Sequence, residues 1–515
     1  MLTTIYSAAV HGIDAFPVTI ETLVERGARF YIVGLPDTAI KESQQRIMAA
    51  MKASDLEFPH KRTVINLAPA DVKKEGASFD LPISIGILSS NQALPQASVE
   101  NCMIAGELSL SGRVLPVKGV LPMAIKAREM GIRRLIVPKD NASEAAIVNN
   151  LEVIGVESLR ETVDFLNGDI TIPATVVDTR GEFAKYYTMF DYDFSEVKGQ
   201  ESVKRALEVA CAGGHNILLV GPPGSGKSMM AKRIPSILPP LTLQEALETT
   251  KIHSVAGFLH RGARLMTSRP FRMPHHTVSP VALVGGGSSP NPGEISLAHN
   301  GVLFLDEFPE FPRTVLEVLR QPIEDRVITI SRARYNVRYP ASFMLVASMN
   351  PCPCGYYGHP TRKCTCLSTQ VHKYMGKISG PLMDRIDIQI QIQPVEFDAM
   401  ASRRPSESSS AIRQRVIAAR NIQTERFKEC PGVYSNSQMN SRLLHKYAWP
   451  DEEGVARLKA RMTKLNMSAR AFDRILRVAR TIADLDQSDG IKPEHISEAI
   501  SYRSLDRENY GMEYY

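Results

Sequence analysis

The feature that most constrains this chain is a glycine-rich loop between an apolar strand and a helical segment. The run Ile217–Val220 is apolar, and residues 229–234 after the loop have a helical pattern. Glycines in such a loop let backbone N–H groups turn inward around phosphates, at the positive end of the following helix. We expect Lys227 to reach the β and γ phosphates of ATP and Ser228 to hold Mg²⁺. The predicted nucleotide-binding loop is Gly221, Pro222, Pro223, Gly224, Ser225, Gly226, Lys227 and Ser228.

Two more apolar runs follow, and both end in polar residues. Val302–Leu305 leads to Asp306, expected to face Mg²⁺, and to Glu307, expected to polarise the attacking water. Residues 343–347 lead to Asn350, whose amide can orient that water opposite the γ phosphate. Polar residues are common at strand ends, so these assignments depend on their order after the phosphate loop. Buried strands alternating with helices predict a parallel sheet in an α/β sandwich.

The length of the chain allows roughly three domains. We predict a first α+β domain at residues 1–167, a linker at 168–193, the ATPase core with insertions at 194–402, and a helical domain at 403–515. Lysine and arginine exceed the acidic residues by 61 to 55, and this net charge of +6 is too small to indicate nucleic-acid binding. Any basic binding surface must therefore be local.

The composition also indicates where the chain works. Its start has no basic segment followed by an apolar run, and no stretch approaches the ~20 apolar residues of a membrane span. The seven cysteines are an odd number for a disulfide framework. A cytoplasmic protein without a membrane partner is the expectation.

Four of the cysteines crowd into one short segment. Cys352, Cys354, Cys364 and Cys366 form two C-x-C pairs, and four thiolates are a complete tetrahedral set for structural zinc. The spacing within each pair is tighter than usual, and His359 could replace one ligand. The alternative is four reduced thiols, or a disulfide in an oxidised sample.

The chain resembles the AAA+ ATPases, and more closely the Mg-chelatase-like family of the ComM and YifB type. The resemblance covers nearly the whole sequence and rests on residues 33–37 (VGLPD), 66–71 (NLAPAD), 271–276 (FRMPHH) and 350–355 (NPCPCG). It implies that Gly199 and Gln200 form the adenine-side motif, and that the chain assembles into a ring, a hexamer in this family.

The resemblance also implies roles for two arginines. Arg385 matches the arginine finger, which reaches the γ phosphate of a neighbouring subunit, and Arg470 matches the second sensor of the helical domain. A surface salt bridge from Arg385 to Asp384 or Asp387 is the alternative. Arg474 and Arg477 compete with Arg470 because they lie near the same helix face.

Residues 64–145 resemble the proteolytic domain of Lon. Ser78 aligns with the serine nucleophile, but Leu121 stands at the position of the catalytic lysine. A serine hydroxyl without a base is a poor nucleophile, and Lys118 and Lys126 are out of register. We therefore interpret this domain as a structural or DNA-contacting element without peptidase activity.

Residues 327–339 read as a β-hairpin whose tip carries Arg332, Arg334 and Tyr335. Guanidinium groups can pair with phosphates and the tyrosine ring can stack on a base, although arginines at hairpin tips are often simply solvated. In relatives, a hairpin at this place grips DNA in the ring channel. The resemblance thus implies an ATP-dependent helicase or branch-migration motor on single-stranded, forked or branched DNA, acting with recombination proteins in natural transformation.

Two other functions remain open at this point. A chelatase-type motor would share the ATPase core, but the Lon-like first domain speaks against it, and no integrin-type metal-binding region is present. A protein-remodelling ATPase would use the first domain to bind clients. Stimulation of ATP hydrolysis by forked DNA, porphyrin or unfolded protein distinguishes the three.

Overall fold

The computed structural model describes residues 2–178, 181, 190–259, 265–287, 290–332, 335–394, 406–465, 468–503 and 505, without the side chains of 332, 335, 464 and 465. The strands are β1 Leu2–His11, β2 Asp14–Glu25, β3 Phe30–Val33, β4 Arg62–Ala68, β5 Cys102–Ile104, β6 Glu107–Leu108, β7 Val114–Leu115, β8 Arg134–Pro138, β9 Glu152–Val156, β10 Ile217–Val220, β11 Phe271–Arg272, β12 Gly285–Gly286, β13 Asn291–Pro292, β14 Val302–Leu305, β15 Val327–Arg332, β16 Tyr335–Pro340, β17 Met344–Met349 and β18 Ile388–Gln391.

The α-helices among these residues fall into two groups along the chain. Those before the phosphate loop are α1 Thr38–Ala53, α2 Asp80–Ser90, α3 Val120–Glu129, α4 Lys139–Ala145, α5 Leu159–Asn167 and α6 Glu201–Gly213. Those after it are α7 Lys227–Ala231, α8 Ile234–Ile237, α9 Leu243–Ala256, α10 Pro280–Val284, α11 Glu294–Leu297, α12 Arg313–Glu317, α13 Arg320–Asp325, α14 Ser368–Met375, α15 Gly380–Met383, α16 Ser409–Arg426, α17 Ser441–Tyr447, α18 Glu452–Leu465, α19 Ala469–Leu485 and α20 Pro493–Ser501. None of the helices in the described ranges is long and apolar enough to cross a bilayer.

The first part of the chain forms a mixed seven-stranded sheet in the order β3-β4-β2-β1-β5-β8-β9. Side chains of β2 alternate between buried and more exposed, as expected for a strand with one face on a core. Helix α2 is buried along its whole length. Its first residue, Asp80, accepts two hydrogen bonds from Arg46, at 2.7 and 2.9 Å. This ion pair compensates a carboxylate that would otherwise be costly to bury.

The second part contains a five-stranded parallel sheet in the order β11-β14-β17-β10-β18. Strands β10, β14 and β17 are buried along their whole length, as their apolar sequences predict. The predicted parallel sheet is confirmed. Because the strands are parallel, their carboxyl ends meet at one edge, and the predicted site residues follow these ends.

The last part of the described chain is helical, as predicted. Helix α19 begins after Ser468, whose hydroxyl accepts a hydrogen bond from the backbone of Ala471. One face of this helix is apolar, and its residues Ile475, Ala479 and Ile482 are buried in the same core cluster as residues of the ATPase sheet. The helical part therefore packs directly on the ATPase core.

The Lon-like part also packs on the ATPase core, through helix α9. The Ser254 hydroxyl donates to the buried carboxyl group of Glu144, and the Gly119 N–H donates to the Ser254 carbonyl at 3.2 Å. Lys251 forms an ion pair with Asp14 at 2.5 Å. The flexible and apolar residues of the segment 254–261 predict a pore loop in the sequence. Residues 254–256 belong instead to α9 and to this interface, and residues 260 and 261 lie outside the described ranges.

Candidate nucleotide site

The phosphate loop follows β10 and ends in α7, as predicted. Gly224 and Gly226 have φ of 78° and 86°, in the left-handed region that favours glycine. Nζ of Lys227 donates to the carbonyl oxygens of Gly221 and Pro222 at 2.8 and 2.9 Å. Phosphate oxygens would accept the same hydrogen bonds from Lys227 Nζ that these carbonyl oxygens accept. Burial lowers the pKa of Lys227, and the charges of nearby carboxylates act in the opposite direction.

A cluster of oxygen atoms lies beside the loop. The Ser228 hydroxyl donates to Oδ2 of Asp306 at 2.6 Å, and the Ser348 hydroxyl donates to Oδ1 of the same carboxylate. A hydroxyl oxygen and a carboxylate are the hard ligands that Mg²⁺ prefers, and Mg²⁺ keeps several waters as its other ligands. The donor set therefore fits the predicted magnesium site at Ser228 and Asp306.

Glu307 stands next to this cluster and is accessible to water. Its backbone has φ of 53°, and its side chain is 61% exposed. Nδ1 of His276 lies 3.5 Å from the Glu307 carboxylate. Adjacent histidines such as His275 and His276 would point apart on a strand. Here they follow β11 in a loop with their rings 4.1 Å apart, so His276 is a residue beside the site that the sequence pattern did not indicate.

Asn350 connects the end of β17 to the phosphate loop. Its Oδ1 accepts a hydrogen bond from Lys227 Nζ at 3.2 Å. The backbone of Asn350 lies close to Tyr374, whose pKa burial raises. Asn350 thus lies where its amide can sense a γ phosphate held by Lys227.

These residues converge on one cleft of about 1080 Å³. The cleft is also lined by residues of α14 and the segment after it that the sequence did not indicate, namely Lys373, Tyr374 and Lys377. Lys377 is held by Glu310 at 3.1 Å. Lys373 adds positive charge where an anionic ligand would bind. Nothing in the local sequence around these lysines distinguishes them from surface residues.

Gly199 and Gln200 do not line this cleft. Both residues have left-handed φ, near 64°, just before helix α6. The side chain of Gln200 donates to the carbonyl oxygen of Gln393 at 2.5 Å. The adenine-side role implied by the resemblance stays a prediction.

The two arginines expected to act on phosphate also lie outside the cleft. Arg385 pairs with Glu324 at 2.6 Å, and its side chain is only 9% exposed. Arg470 is 64% exposed and lies 3.7 Å from Asp384. The two aspartates named above as alternative partners of Arg385 each contact another arginine instead. Asp384 faces Arg470, and Asp387 pairs with Arg474 at 2.5 Å.

The four clustered cysteines form a compact group beside the cleft. Their sulfur atoms lie within 4.8 Å of one another, and three of the pairs are separated by 3.3 to 3.6 Å. A tetrahedral zinc ion with Zn–S bonds of about 2.3 Å requires sulfur separations of ~3.8 Å. All four are free thiols in this structure, which fits a metal site better than a disulfide. Cys354 and Cys366 also line the nucleotide cleft.

The predicted β-hairpin is confirmed. Strands β15 and β16 pair antiparallel, from Val327 opposite Pro340 to Arg332 opposite Tyr335. The side chains of Arg332 and Tyr335, and the whole of Arg334, lie outside the described part of the chain. Their DNA-binding role stays a prediction.

A second cleft, of about 390 Å³, lies at the Lon-like part. It is lined by Ser78 and Lys118, while Leu121 is fully buried. Lys126 pairs instead with Glu129 at 2.6 Å. The leucine at the expected lysine position is therefore part of the core, and the absence of peptidase activity stays a prediction.

Comparison with protein families agrees with this arrangement. Residues 193–400 match the model of magnesium chelatase, subunit ChlI, residues 20–141 match that of subunit ChlI of Mg-chelatase, and residues 406–503 match that of the ChlI C-terminal region. The parallel sheet, the phosphate loop and the acidic strand end define the class of this protein as a P-loop ATPase of the AAA+ type.

Individual relatives extend the match to the whole chain. The chain is 41% identical over 513 residues to protein YifB of Escherichia coli strain K12, and 40% identical over 508 residues to competence protein ComM of Haemophilus influenzae, with 98% of each chain covered. It therefore belongs to the Mg-chelatase-like family of AAA+ ATPases. A Lon protease of Borreliella burgdorferi is 29% identical over 158 residues, covering 28% of this chain and 19% of the protease. Family membership implies that the protein hydrolyses ATP and uses Mg²⁺ in doing so.

Proposed function

We propose that this protein is a ring-forming, ATP-driven DNA motor that acts as a helicase or branch-migration enzyme in recombination, as in natural transformation. The observation that carries the proposal is that the hairpin β15–β16 packs in one core with β14 and β17, the strands that lead to Asp306 and Asn350. Hairpin residues Ile330 and Tyr339 share one buried cluster with Leu305 and Met349. These last two residues directly precede Asp306 and Asn350. A shift at the γ phosphate can therefore be passed to the hairpin through packed side chains.

The chemistry of the motor follows from the cleft. ATP with Mg²⁺ supplies the reactive phosphoanhydride and a cation that neutralises developing charge. Lys227 is the residue that binds the β and γ phosphates, and Asp306 and Ser228 are the residues that face the cation. Glu307, exposed to solvent beside them, is the group that orients the water and takes its proton.

The ring is proposed because each subunit has an incomplete site. Arg385 and Arg470 do not line the cleft of their own chain. They lie in the same region, because Arg470 is 3.7 Å from Asp384, the residue directly before Arg385. We propose that both arginines complete the site of a neighbouring subunit, in a hexamer. Arg385 must then leave Glu324 before it can reach a phosphate.

Single-stranded and forked DNA test the DNA-motor proposal. Either should increase the rate of ATP hydrolysis, and the double substitution Arg332→Ala and Arg334→Ala should abolish that increase. Arg338→Ala is the matched control, because Arg338 is an exposed arginine on the same hairpin but away from its tip. No increase with any DNA structure would rule the proposal out. An increase with porphyrin or unfolded protein instead would identify a chelatase-type or protein-remodelling ATPase.

We also propose that Cys352, Cys354, Cys364 and Cys366 hold a structural zinc ion. The support is the close grouping of four free thiols described above. Zinc in such a site has no redox role and fixes the loop that carries its ligands. Because this loop lines the cleft directly after Asn350, the ion would stabilise the ATP site rather than take part in hydrolysis.

A further inference from the structure

A small polar cavity lies at the opposite end of the ATPase sheet from the nucleotide cleft. Gly301 and Met344, at the amino ends of β14 and β17, line it. Its volume is about 60 Å³. One ordered water needs roughly 10–15 Å³ measured in this way, so the cavity has room for a group of several atoms. A nucleotide is far too large for it.

Three arginines from separate parts of the chain line this cavity. Arg269 comes from the segment before β11, Arg326 from the base of the hairpin, and Arg420 from helix α16. Glu245 is the carboxylate among the lining residues. The wall of the cavity therefore carries an excess of positive charge.

Glu245 is already used by one of the three arginines. Its two oxygens accept hydrogen bonds from Nη1 and Nη2 of Arg269, at 3.1 and 3.0 Å. Arg269 also donates to the carbonyl oxygens of Pro239 and Asn300, both at 2.7 Å. Arg269 and Glu245 thus form a hydrogen-bonded pair. Glu245 also acts on Arg420 through its charge, but among the described residues it accepts no hydrogen bond from Arg420 or Arg326.

Arg420 and Arg326 form no ion pair within the described ranges. Arg420 donates to the carbonyl oxygens of Cys211 and Tyr434, at 3.0 and 3.3 Å, while its Nε is buried with no partner among the described residues. Nη1 of Arg326 donates to the Ser342 hydroxyl at 3.2 Å. Burial lowers the pKa of each guanidinium to about 10, a fall that the nearby charges of Asp387 and Glu245 offset only in part.

We propose that this cavity binds one small inorganic oxyanion of the phosphate or sulfate type, held between Arg326 and Arg420. A guanidinium group presents its donors in a planar fork that matches the oxygens of such an anion. Buried charges in proteins are paired, and the anion supplies the missing partner. It would join the base of the hairpin to the C-terminal helices. This site is separate from the ATP site and does not depend on the proposed motor activity.

Binding of labelled inorganic phosphate to the full chain tests the site. The measurement is made on the Lys227→Ala protein, because the phosphate loop would otherwise bind phosphate itself. We expect saturable binding of about one phosphate per subunit. In the same background, Arg326→Met or Arg420→Met should weaken binding by roughly tenfold or more, because each removes a charge-assisted hydrogen-bond donor. Arg457→Met, at an exposed arginine of helix α18, should leave binding unchanged.

A third substitution keeps the test informative if these variants fold poorly. Gln438 lines the cavity, and its Oε1 accepts a hydrogen bond from the Tyr434 backbone at 2.5 Å, an interaction that a glutamate can keep. Gln438→Glu places a fixed carboxylate beside the arginines. It should abolish phosphate binding and raise the Tm in phosphate-free buffer. Absence of saturable binding in Lys227→Ala, or equal affinity in all variants, would overturn the proposal.

Discussion

Single side chains decide the chemistry of the nucleotide site, and two neighbouring acids show how. Asp306 accepts hydrogen bonds from both Ser228 and Ser348, which leaves it fixed and unsuited to move a proton. Glu307 is exposed and lies 3.5 Å from His276. The environment of each carboxylate thus favours the proposed cation-facing role for Asp306 and the proposed water-activating role for Glu307.

Glu307→Gln should therefore slow ATP hydrolysis by about 10²- to 10⁴-fold, the usual loss when a general base is removed. ATP binding should persist, because Lys227 and the loop remain. Steady-state turnover and nucleotide affinity are the two measurements. Glu310→Gln is the matched control, since Glu310 lines the same cleft but pairs with Lys377. Equal losses in both variants would contradict the assignment.

Asp387 gives a second prediction at this scale, on stability. Burial favours its neutral form, but the charge of Arg474 and the neighbouring His215 ring, whose Nδ1 lies 3.7 Å away, hold its pKa well below the ordinary carboxyl range. Because the folded pKa is depressed, the stabilisation is complete at pH values above the ordinary carboxyl pKa of about 3.9, and is lost as the pH falls below it.

Asp387→Asn should lower the free energy of unfolding at neutral pH by about 3–5 kcal/mol, because Arg474 is left buried without its partner. The loss relative to the wild type should shrink in acid. Urea titrations at several pH values measure both effects. Asp384→Asn, which breaks the more exposed contact with Arg470, should change stability by less than about 1 kcal/mol.

At the scale of elements, the cysteine loop is packed against the phosphate loop. A methyl group added at Gly355 would lie 2.5 Å from Cδ of Pro223, and Gly355 has a left-handed φ of 85°. Only glycine permits this close approach without strain. The loop that holds the proposed zinc is thus part of the wall of the ATP site.

Removal of zinc should therefore reduce ATP turnover. Protein purified without chelator should contain about one zinc per chain, and Cys352→Ser with Cys364→Ser should lose both the metal and most of the activity. Elemental analysis and steady-state ATPase assays are the measurements. Cys430→Ser is the control, because Cys430 lies outside the cluster. Wild-type protein with no stoichiometric zinc would exclude the site.

At the scale of the whole molecule, the ring proposal depends on a site shared between subunits. Arg385→Ala should lower turnover by about 10³-fold or more, the usual effect of losing an arginine finger. Lys227→Ala should also be inactive. Mixing the two variants should restore part of the activity, because the first supplies intact phosphate loops and the second intact fingers. A mixture no more active than its components would contradict a finger acting between subunits.

The contact between the Lon-like part and the ATPase core makes a further prediction. The buried Glu144 carboxyl accepts hydrogen bonds from the Ser254 hydroxyl, the Leu121 backbone and the Asn141 side chain. Glu144→Ala should cost about 2–4 kcal/mol, because these donors lose their partner. Thermal or urea unfolding measures the loss. Glu129→Ala, at an exposed residue of the same part of the chain, should be nearly neutral.

The phosphate loop, the acidic strand end and the parallel sheet could be predicted from the sequence. Their signals are local: short apolar runs such as Val302–Leu305, in order after the phosphate loop, favour buried strands, and glycines at 224 and 226 permit left-handed turns in the loop. The hairpin and helix α19 were predictable for the same reason, because the spacing of apolar residues that marks a strand or a helix involves only residues close together in the sequence.

Only the tertiary structure decided which distant residues join these elements. His276 lies beside Glu307, and Lys373 and Tyr374 line the nucleotide cleft, because separate loops and helices meet there. No local pattern indicates such a meeting. The partner of Arg385 was likewise Glu324 rather than a neighbour in sequence. Periodicity and spacing depend on local geometry, whereas these contacts depend on how the sheet brings remote segments together.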